Sequence, residues 1–565
     1  MLKNKVGKIM LILLAALLPA AALAEIVLKP ADCMIAVTGK DKQFQRAAEE
    51  LALHLKEITG QTIPVVETAP AGKYIINIGK KPAGVPEKYT AIEESYWKFG
   101  PREAWFYGNS ARTVLLAVYD FLENELGVRW PAIDIAVCPK ANPVKLRKTE
   151  GKFSSPLLRR EIRWMRHKRA GDWYDKMRMS CDIKVIVYGH AFTGWWKKYG
   201  KTHPEYFAMV QGERSPIPPN KDHKRSAKDI ALSSSSAAKT ISLCVSNPAV
   251  VAQIIRNWNG KTAILNICEN DSPAWNACHC DACRALDADP KGEIDNPMGA
   301  DRYVDFGNRV LKAARKIRKD AKIFYYAYNA SEQPPHKKRI DPGTIIGIVP
   351  TDFRFKELSD YVNAWNKAGM TEFIYRPNWH HYFAPMGFPI GFDRFAFRIQ
   401  QFMHRSGAVG YDYDAGRSFD PFRFHTDYIL QHAMLEPERP FEYWEKHYAE
   451  AFGPAQQDVI DYFRFWTRIW DERIEKDLGK LTGRKNWYNF SRAFLPRVNQ
   501  YYRTGDFTES GKILNRALGR KMTPQARKYL LNLKLFHDHA ALMLKCYQTR
   551  NKDDIRKLIG KAPEK

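Results

Sequence analysis

The sequence predicts an α/β protein: a (β/α)8 TIM-like barrel, preceded by a small α/β domain and followed by a helical C-terminal domain. Three observations carry this reading. The chain has 565 residues, more than one ordinary core organises, so two to four domains are expected. Between about residue 156 and residue 435, short apolar strands alternate with helical segments, the pattern of a parallel sheet. No glycine-rich phosphate loop follows any of these strands, which counts against a nucleotide-binding sheet and favours the barrel.

Residues 1–24 read as a signal peptide. Lys3, Lys5 and Lys8 give a charged start, Ile9 to Leu18 is apolar, and Ala22-Leu23-Ala24 offers small side chains for cleavage before Glu25. The competing reading is a membrane anchor, but the apolar run is short of the roughly 20 residues a spanning helix needs. No later segment is long and apolar enough to span a membrane, so the rest is expected to be exported, periplasmic or extracellular, and not membrane-spanning.

Residues 25–150 form the predicted N-terminal domain. Ala48, Leu51, Leu55 and Ile58 recur at helical spacing within Phe44–Thr59, and Gly60 ends that helix. Strands are expected at Ile63–Val66 and Tyr74–Gly79, and a second helix over Thr113–Leu126, closed by Gly127. Residues 139–155, rich in Pro, Lys and Ser, suggest a linker. The barrel is assigned to 151–435, with strands at Lys184–Tyr188, Ala263–Cys268, Ile323–Tyr328, Ile345–Val349, Phe373–Tyr375 and Ala408–Tyr413. Residues 436–565 are expected to be helical; Ile460, Phe463, Trp466, Ile469 and Trp470 fall on one face of Gln456–Lys476, and Ala526–Arg550 is a second long helix.

Composition narrows the function. Aromatic residues make up 13% of the chain, including 15 Trp and 27 Tyr; either a sugar-binding cleft or a large aromatic core would use them. The net charge of +27 suggests anionic partners or a solvated basic surface. Lysine and arginine are scattered, and no helix-turn-helix, zinc finger or RNA-binding signature is present, so no nucleic-acid partner is expected.

Several segments resemble one family. AAEELALHLKEITGQTIPVV (47–66) and FYGNSARTVLLAVYDFLENELGVRWP (106–131) resemble the N-terminal domain shared by alpha-glucuronidases and beta-hexosaminidase-like enzymes. HPEYFAMVQGER (203–214), LCVSNPAV (243–250), ENDSPAWNACHCDACRAL (269–286) and AYNASEQPP (327–335) resemble the domain-of-unknown-function 4838 family. The resemblance runs through most of the chain and implies a barrel related to glycoside hydrolases, found mainly in bacteria that degrade polysaccharides. It implies an architecture more than a reaction.

In a barrel, ligands bind at the C-terminal ends of the strands. In the 408–414 strand the even positions place Asp412 and Asp414 inward, with alpha carbons about 6.5 Å apart; the alternative is a loop cap or a pair with Arg417. In the 263–271 strand, Asn266, Cys268 and Asn270 form the polar, inward set. That turns Glu269 outward and leaves Asp271, on the Asn-Asp pair of the family motif, as the preferred general acid; a slip of one residue would restore Glu269. Lys184, Tyr188 and His190 share one parity. Tyr326, Tyr328 and Asn329, and Tyr375, Arg376, Asn378, Trp379, His380 and His381, supply rings and hydrogen bonders. Arg376 could bind a carboxylate or sulfate. Arg160, Arg163 and Trp164 open the first barrel strand and could do likewise or form a buried ion pair.

Glycoside hydrolysis needs two carboxyl groups, about 5 Å apart for retention and about 6.5–9.5 Å for inversion. Asp271 with Asp412 or Asp414 is the expected pair. A substrate-assisted route, in which an N-acetyl group is the nucleophile, needs one strong acid. No cofactor is implied for catalysis. Cys278, Cys280 and Cys283 form C-x-C-x-x-C, which suits either a structural zinc-type site, with Cys268 or His279 as fourth ligand, or a disulfide plus a free thiol. The function expected is an exported glycoside hydrolase acting on an anionic (uronic acid or sulfated) or N-acetylated oligo- or polysaccharide; the alternative is a non-catalytic carbohydrate-binding protein.

Overall fold

A computed structural model describes residues 26–549, except 69, 71, 86–87, 165–167, 180–185, 187, 211, 215–238, 240, 273–275, 292–299, 379–386, 417–419 and 483–489. The expected leader over residues 1–24 lies outside the described residues. Among the described residues, no helix is long and apolar enough to cross a membrane.

The N-terminal part is a six-stranded mixed sheet. Its strands are β1 (Cys33–Val37), β2 (Val65–Val66), β3 (Tyr74–Ile78), β4 (Glu93–Phe99), β5 (Glu103–Gly108) and β6 (Glu150–Ser155), in the order β6-β4-β5-β3-β1-β2. Two helices, α1 (Lys42–Thr59) and α2 (Ala111–Asp120), pack against it. In α1 the apolar stripe is buried as its spacing requires (Ala48, Leu51, Leu55, Ile58), the Asp41 carboxylate caps the first turn, and Gly60 ends it at φ 77°. The 139–155 stretch expected as a linker ends instead in an edge strand. Residues 150–155 pair antiparallel with β4, burying Phe153 and Ser155 on alternate positions. One large apolar residue in six is too faint a pattern to announce a strand.

The second sheet contains β7 (Arg159–Trp164), β8 (Ile264–Asn266), β9 (Lys322–Ala327), β10 (Thr344–Ile348), β11 (Glu372–Tyr375) and β12 (Ala408–Gly416). All neighbours are parallel, in the order β7-β12-β11-β10-β9-β8. Helices α3 (Pro248–Trp258), α4 (Asp301–Ala314), α5 (Phe355–Lys367), α6 (Asp393–Arg405) and α7 (Pro421–Leu435) are interspersed with these strands, with only a short 3-10 turn (Asn329–Ser331) between β9 and β10. The result is a six-stranded parallel half-barrel; β7 and β8 are its edges among the described residues. Of the expected Lys184–Tyr188 strand, only Ile186 and Tyr188 are described. The segment that follows lies along the end of β8, where Ala191 N–H donates to the Cys268 carbonyl at 2.9 Å and Asn266 Nδ2 donates to the Gly189 carbonyl at 2.8 Å.

Beyond α7 the chain is helical as expected, through α8 (Phe441–Ala449), α9 (Gln456–Ile469), α10 (Thr504–Leu518) and α11 (Pro524–Thr549). The α9 stripe is buried through Ile460, Phe463, Trp466 and Ile469, and Trp470 follows it into the core. One continuous apolar core runs from Leu28 to Leu544 through all three parts. Trp130, Trp173, Trp365, Trp466 and Trp470 are among its largest fully buried side chains, so much of the aromatic content serves packing. The parts are also joined by buried charge: Glu123 of the N-terminal part lies 2.5 Å from Arg178 and 2.8 Å from His432 of α7.

Candidate functional site

The C-terminal ends of β8 and β9 open into a cleft lined by Ser242, Glu269, Asn270, Ser272, Tyr303 and Tyr326, with Tyr328 and residues 329–331 completing it. How β8 ends decides which side chains enter. Asn266 Oδ1 accepts the Cys268 N–H at 2.8 Å, a local side-chain turn that competes with the strand ladder. Alternation therefore stops at Asn266, and the expectation that Glu269 faces outward, which extended the strand through residue 271, is corrected: Glu269 and its neighbour Asn270 both line the cleft.

Glu269 is held on three sides. Its Oε2 accepts the Leu243 N–H at 3.2 Å, and the Ser242 hydroxyl also bonds the carboxyl. His190 Nδ1 lies 2.5 Å from its main-chain carbonyl. Oε1 is sealed from solvent and has no hydrogen-bond partner among the described residues. Burial pushes the Glu269 carboxyl from 4.5 up to about 8, against the opposing pull of the Leu243 and Ser242 donors. Near neutral pH Glu269 is thus a protonated acid, poised for general acid work.

Asn270 is buried and donates through Nδ2 to the Ile241 carbonyl at 2.8 Å. Asp271 is exposed beside Asn329, whose Nδ2 lies 3.4 Å from its Oδ1. Asn329 takes a left-handed backbone, φ 52°, which asparagine tolerates better than most residues. Behind the cleft is an aromatic floor. Tyr188 stacks on Phe324 at 5.1 Å, and Tyr326 meets both Tyr188 (5.6 Å) and His190 (5.8 Å) edge-on.

Asp412 does face inward, as expected from its parity, but it is 0% exposed. Its carboxylate sits between two guanidiniums, with Arg159 Nε 3.7 Å from Oδ1 and Arg376 Nε 3.5 Å from Oδ2. The same arginines cover the floor, Arg159 lying 4.2 Å from the Tyr188 ring centre and Arg376 lying 5.2 Å from that of Tyr326. A carboxylate sealed in this way organises two cations and is not open to a substrate. Arg376 also donates to Asn378 Oδ1 at 3.0 Å, so its role begins with Asp412.

Two other expected binding residues lie elsewhere. Arg160 is 0% exposed and points away from the cleft. It pairs with Glu93 of β4 and donates from Nε to the Arg178 carbonyl at 3.2 Å, taking the buried ion pair instead. Strand parity explains this: Glu161 stands opposite Asp412 in register, so Arg159 and Glu161 share the inner face and Arg160 the outer. Tyr375 is likewise buried on the outer face, edge-on to Tyr413 at 5.9 Å; Tyr413 in turn donates to Gln400 of α6 at 2.6 Å. Lys184, Trp379 and His380, and the side chains of Trp164 and Asp414, lie outside the described residues.

Sequence reasoning missed Arg159, Ser242 and Tyr303. The parity of Asp412 carried across to β7 would have found Arg159; Ser242 and Tyr303 are placed by a loop and a helix, where no local pattern marks them.

The cysteines gather beside this wall. The sulfurs of Cys278, Cys280 and Cys283 are joined by that of Cys244, and all four lie within 4.8 Å of one another. None is in a disulfide. The fourth member is therefore Cys244, in place of the expected Cys268 or His279. Cys268 lies under β9 with its sulfur 3.9 Å from the Phe324 carbonyl.

A family model described as "Domain of unknown function (DUF4838)" matches residues 130–464. No curated protein matches the chain. Among solved structures, the chain is similar to a family 89 glycoside hydrolase from Clostridium perfringens in complex with PUGNAc: 10% identity, 92% of this chain and 64% of that one covered, TM-score 0.45. It is also similar to a chitobiase from Flavobacterium johnsoniae (11%, 95% and 93% covered, TM-score 0.40) and to a GH20 beta-N-acetylhexosaminidase from Streptomyces coelicolor A3(2) (11%, 78% and 94%, TM-score 0.40). The chain spans under two thirds of the length of the family 89 enzyme.

Proposed function

The chain belongs to the DUF4838 family, and from that premise we propose that it is a glycoside hydrolase in which Glu269 is the general acid. The single observation that carries this is the Glu269 carboxyl, buried at the end of a parallel strand and lifted to about 8, with no charged partner and one unpartnered oxygen among the described residues, in a cleft of tyrosines and amides. A protonated acid held this way can deliver its proton to a glycosidic oxygen as the bond to the sugar breaks.

The second group is the harder question, and the burial of Asp412 narrows it. Asp271, two residues along from the acid, is an exposed carboxylate set against Asn329 of the cleft, and we assign it this role. An acid with a neighbouring exposed carboxylate suits the substrate-assisted route, in which a 2-acetamido oxygen attacks the anomeric carbon and Asp271 orients the amide. An N-acetylated glycan is therefore the preferred substrate. The net charge of +27 supports one that is anionic as well. The charged, apolar and small-residue order of residues 1–24 supports action outside the cytoplasm.

A panel of N-acetylated, uronic-acid-containing and sulfated glycans, digested with wild type, Glu269→Gln and Asp271→Asn, tests this. Release of sugar by wild type and its loss in Glu269→Gln is the expected result. Equal release by all three proteins would overturn the assignment. Binding without cleavage by wild type would make this a carbohydrate-binding protein.

A further inference from the structure

We propose that Cys244, Cys278, Cys280 and Cys283 form a tetrathiolate site for a divalent metal of the zinc class, which fixes the wall that holds Glu269. The three-cysteine motif leaves metal and disulfide open and suggests Cys268 or His279 as fourth ligand; the fold brings in the fourth sulfur, Cys244, from a loop before α3.

The geometry fits a metal better than either alternative. A tetrahedral zinc with Zn–S bonds of about 2.3 Å sets its sulfurs about 3.8 Å apart. Here Cys278 and Cys280 are 3.4 Å apart, Cys244 and Cys280 3.7 Å, and Cys244 and Cys283 3.9 Å. A disulfide would bring one pair to about 2.05 Å; these three pairs stand well outside that, and none of the four cysteines is in a disulfide. Four thiols serving only as packing would have no reason to converge on one point. The surroundings also match those of bound thiolates, which collect N–H and O–H donors. Met209 N–H donates to Cys278 Sγ at 3.2 Å, the Ser246 hydroxyl lies 3.1 Å from Cys283 Sγ and 3.6 Å from Cys244 Sγ, and the Arg214 guanidinium bonds Cys244. Four protein sulfurs fill a tetrahedral coordination sphere and leave no position for substrate, the pattern of a structural site.

Its place in the fold gives it a consequence. Cys244 directly follows Ser242 and Leu243, the two residues that bond the Glu269 carboxyl. Cys278 O accepts from Arg302 of α4 at 2.8 Å, and Tyr303 beside it lines the cleft. The metal would thus tie two segments, 241–246 and 276–284, into one wall, against which Met209 and Arg214 bond through the sulfurs. This bearing on Glu269 rests on the function proposed above; the metal site itself does not.

The test is elemental analysis of the full-length chain purified without chelator from zinc-supplemented cells. One zinc per chain is expected in wild type and in Cys546→Ser, which alters a cysteine outside the cluster, with at least a fivefold loss in Cys244→Ser. Because a ligand variant could misfold, wild type is also stripped and reloaded with cobalt, where a thiolate-to-cobalt charge-transfer band is expected. Wild type that holds no zinc, takes up no cobalt and has these four thiols freely alkylated or paired as disulfides would overturn the site. Full zinc in a folded Cys244→Ser would overturn the fourth ligand. Zinc bound with no glycan cleaved would leave the metal site standing and remove the reading of Glu269.

Discussion

Two carboxyl groups are buried at the same end of the parallel half-barrel, and the protein keeps them in opposite ways. Asp412, on β12, lies between the guanidiniums of Arg159 and Arg376, so its charge is compensated where it stands. Glu269, just past β8, has among the described residues only the Leu243 N–H and the Ser242 hydroxyl on its carboxyl. Burial without a cation makes an acid; burial between two cations makes a fixed strut. The contrast assigns the proton transfer to the β8 side and the architecture to the β12 side.

The sharpest way to break this comparison is to remove each carboxyl in turn. Glu269→Gln keeps the shape and removes the proton, so hydrolysis should fall by about 10²–10⁴-fold with the melting temperature preserved or raised. Asp412→Ala should do the reverse. It takes the buried carboxylate from between two half-buried arginines, of which Arg159 keeps Glu161, and is expected to cost about 3–5 kcal/mol in denaturant unfolding, with activity lost through loss of folded protein. If Asp412→Ala folds normally and fails only in catalysis, the division of roles is wrong.

The pH dependence separates the two sites next. The Glu269 carboxyl is lifted from 4.5 to about 8, so the folded protein holds a proton that the unfolded chain has released between those values. Stability should therefore decline as pH rises from about 4.5 to about 8, by up to about 1.4 kcal/mol per unit, and level off beyond. Activity should fall through about pH 8 as the acid ionises. His190, Tyr303, Cys268 and Asp271 face the same region, so the comparison must be with Glu269→Gln, in which this slope should be absent. The smallest effect concerns Asp271: Asp271→Asn should leave stability within about 0.5 kcal/mol, as for an exposed position, while slowing N-acetylated substrates more than others.

Much of this was legible in the sequence. The alternation of strands and helices, the helical C-terminal part and the inward parity of Asp412 all follow from periodicity, because a buried face must repeat at the spacing of its element. Where regular structure stops, the legibility stops with it. Asn266 ends β8 by accepting a neighbouring N–H, and from there no parity argument can reach Glu269 or Asp271. Arg159 and Arg160 are equally basic neighbours, and only the register of β7 on β12 tells which faces inward. Cys244 joins the other cysteines through the fold, at a separation that no local spacing rule covers.

The central claim, that Glu269 donates the proton, is tested most directly by leaving-group dependence. Wild type and Glu269→Gln would be compared on a series of aryl glycosides of the sugar released in the panel, with phenols of increasing pKa. A good leaving group departs without help, so the variant should approach wild type on the most acidic phenols and fall progressively behind as the phenol becomes more basic. A deficit of the same size across the whole series would show that Glu269 does not protonate the leaving oxygen.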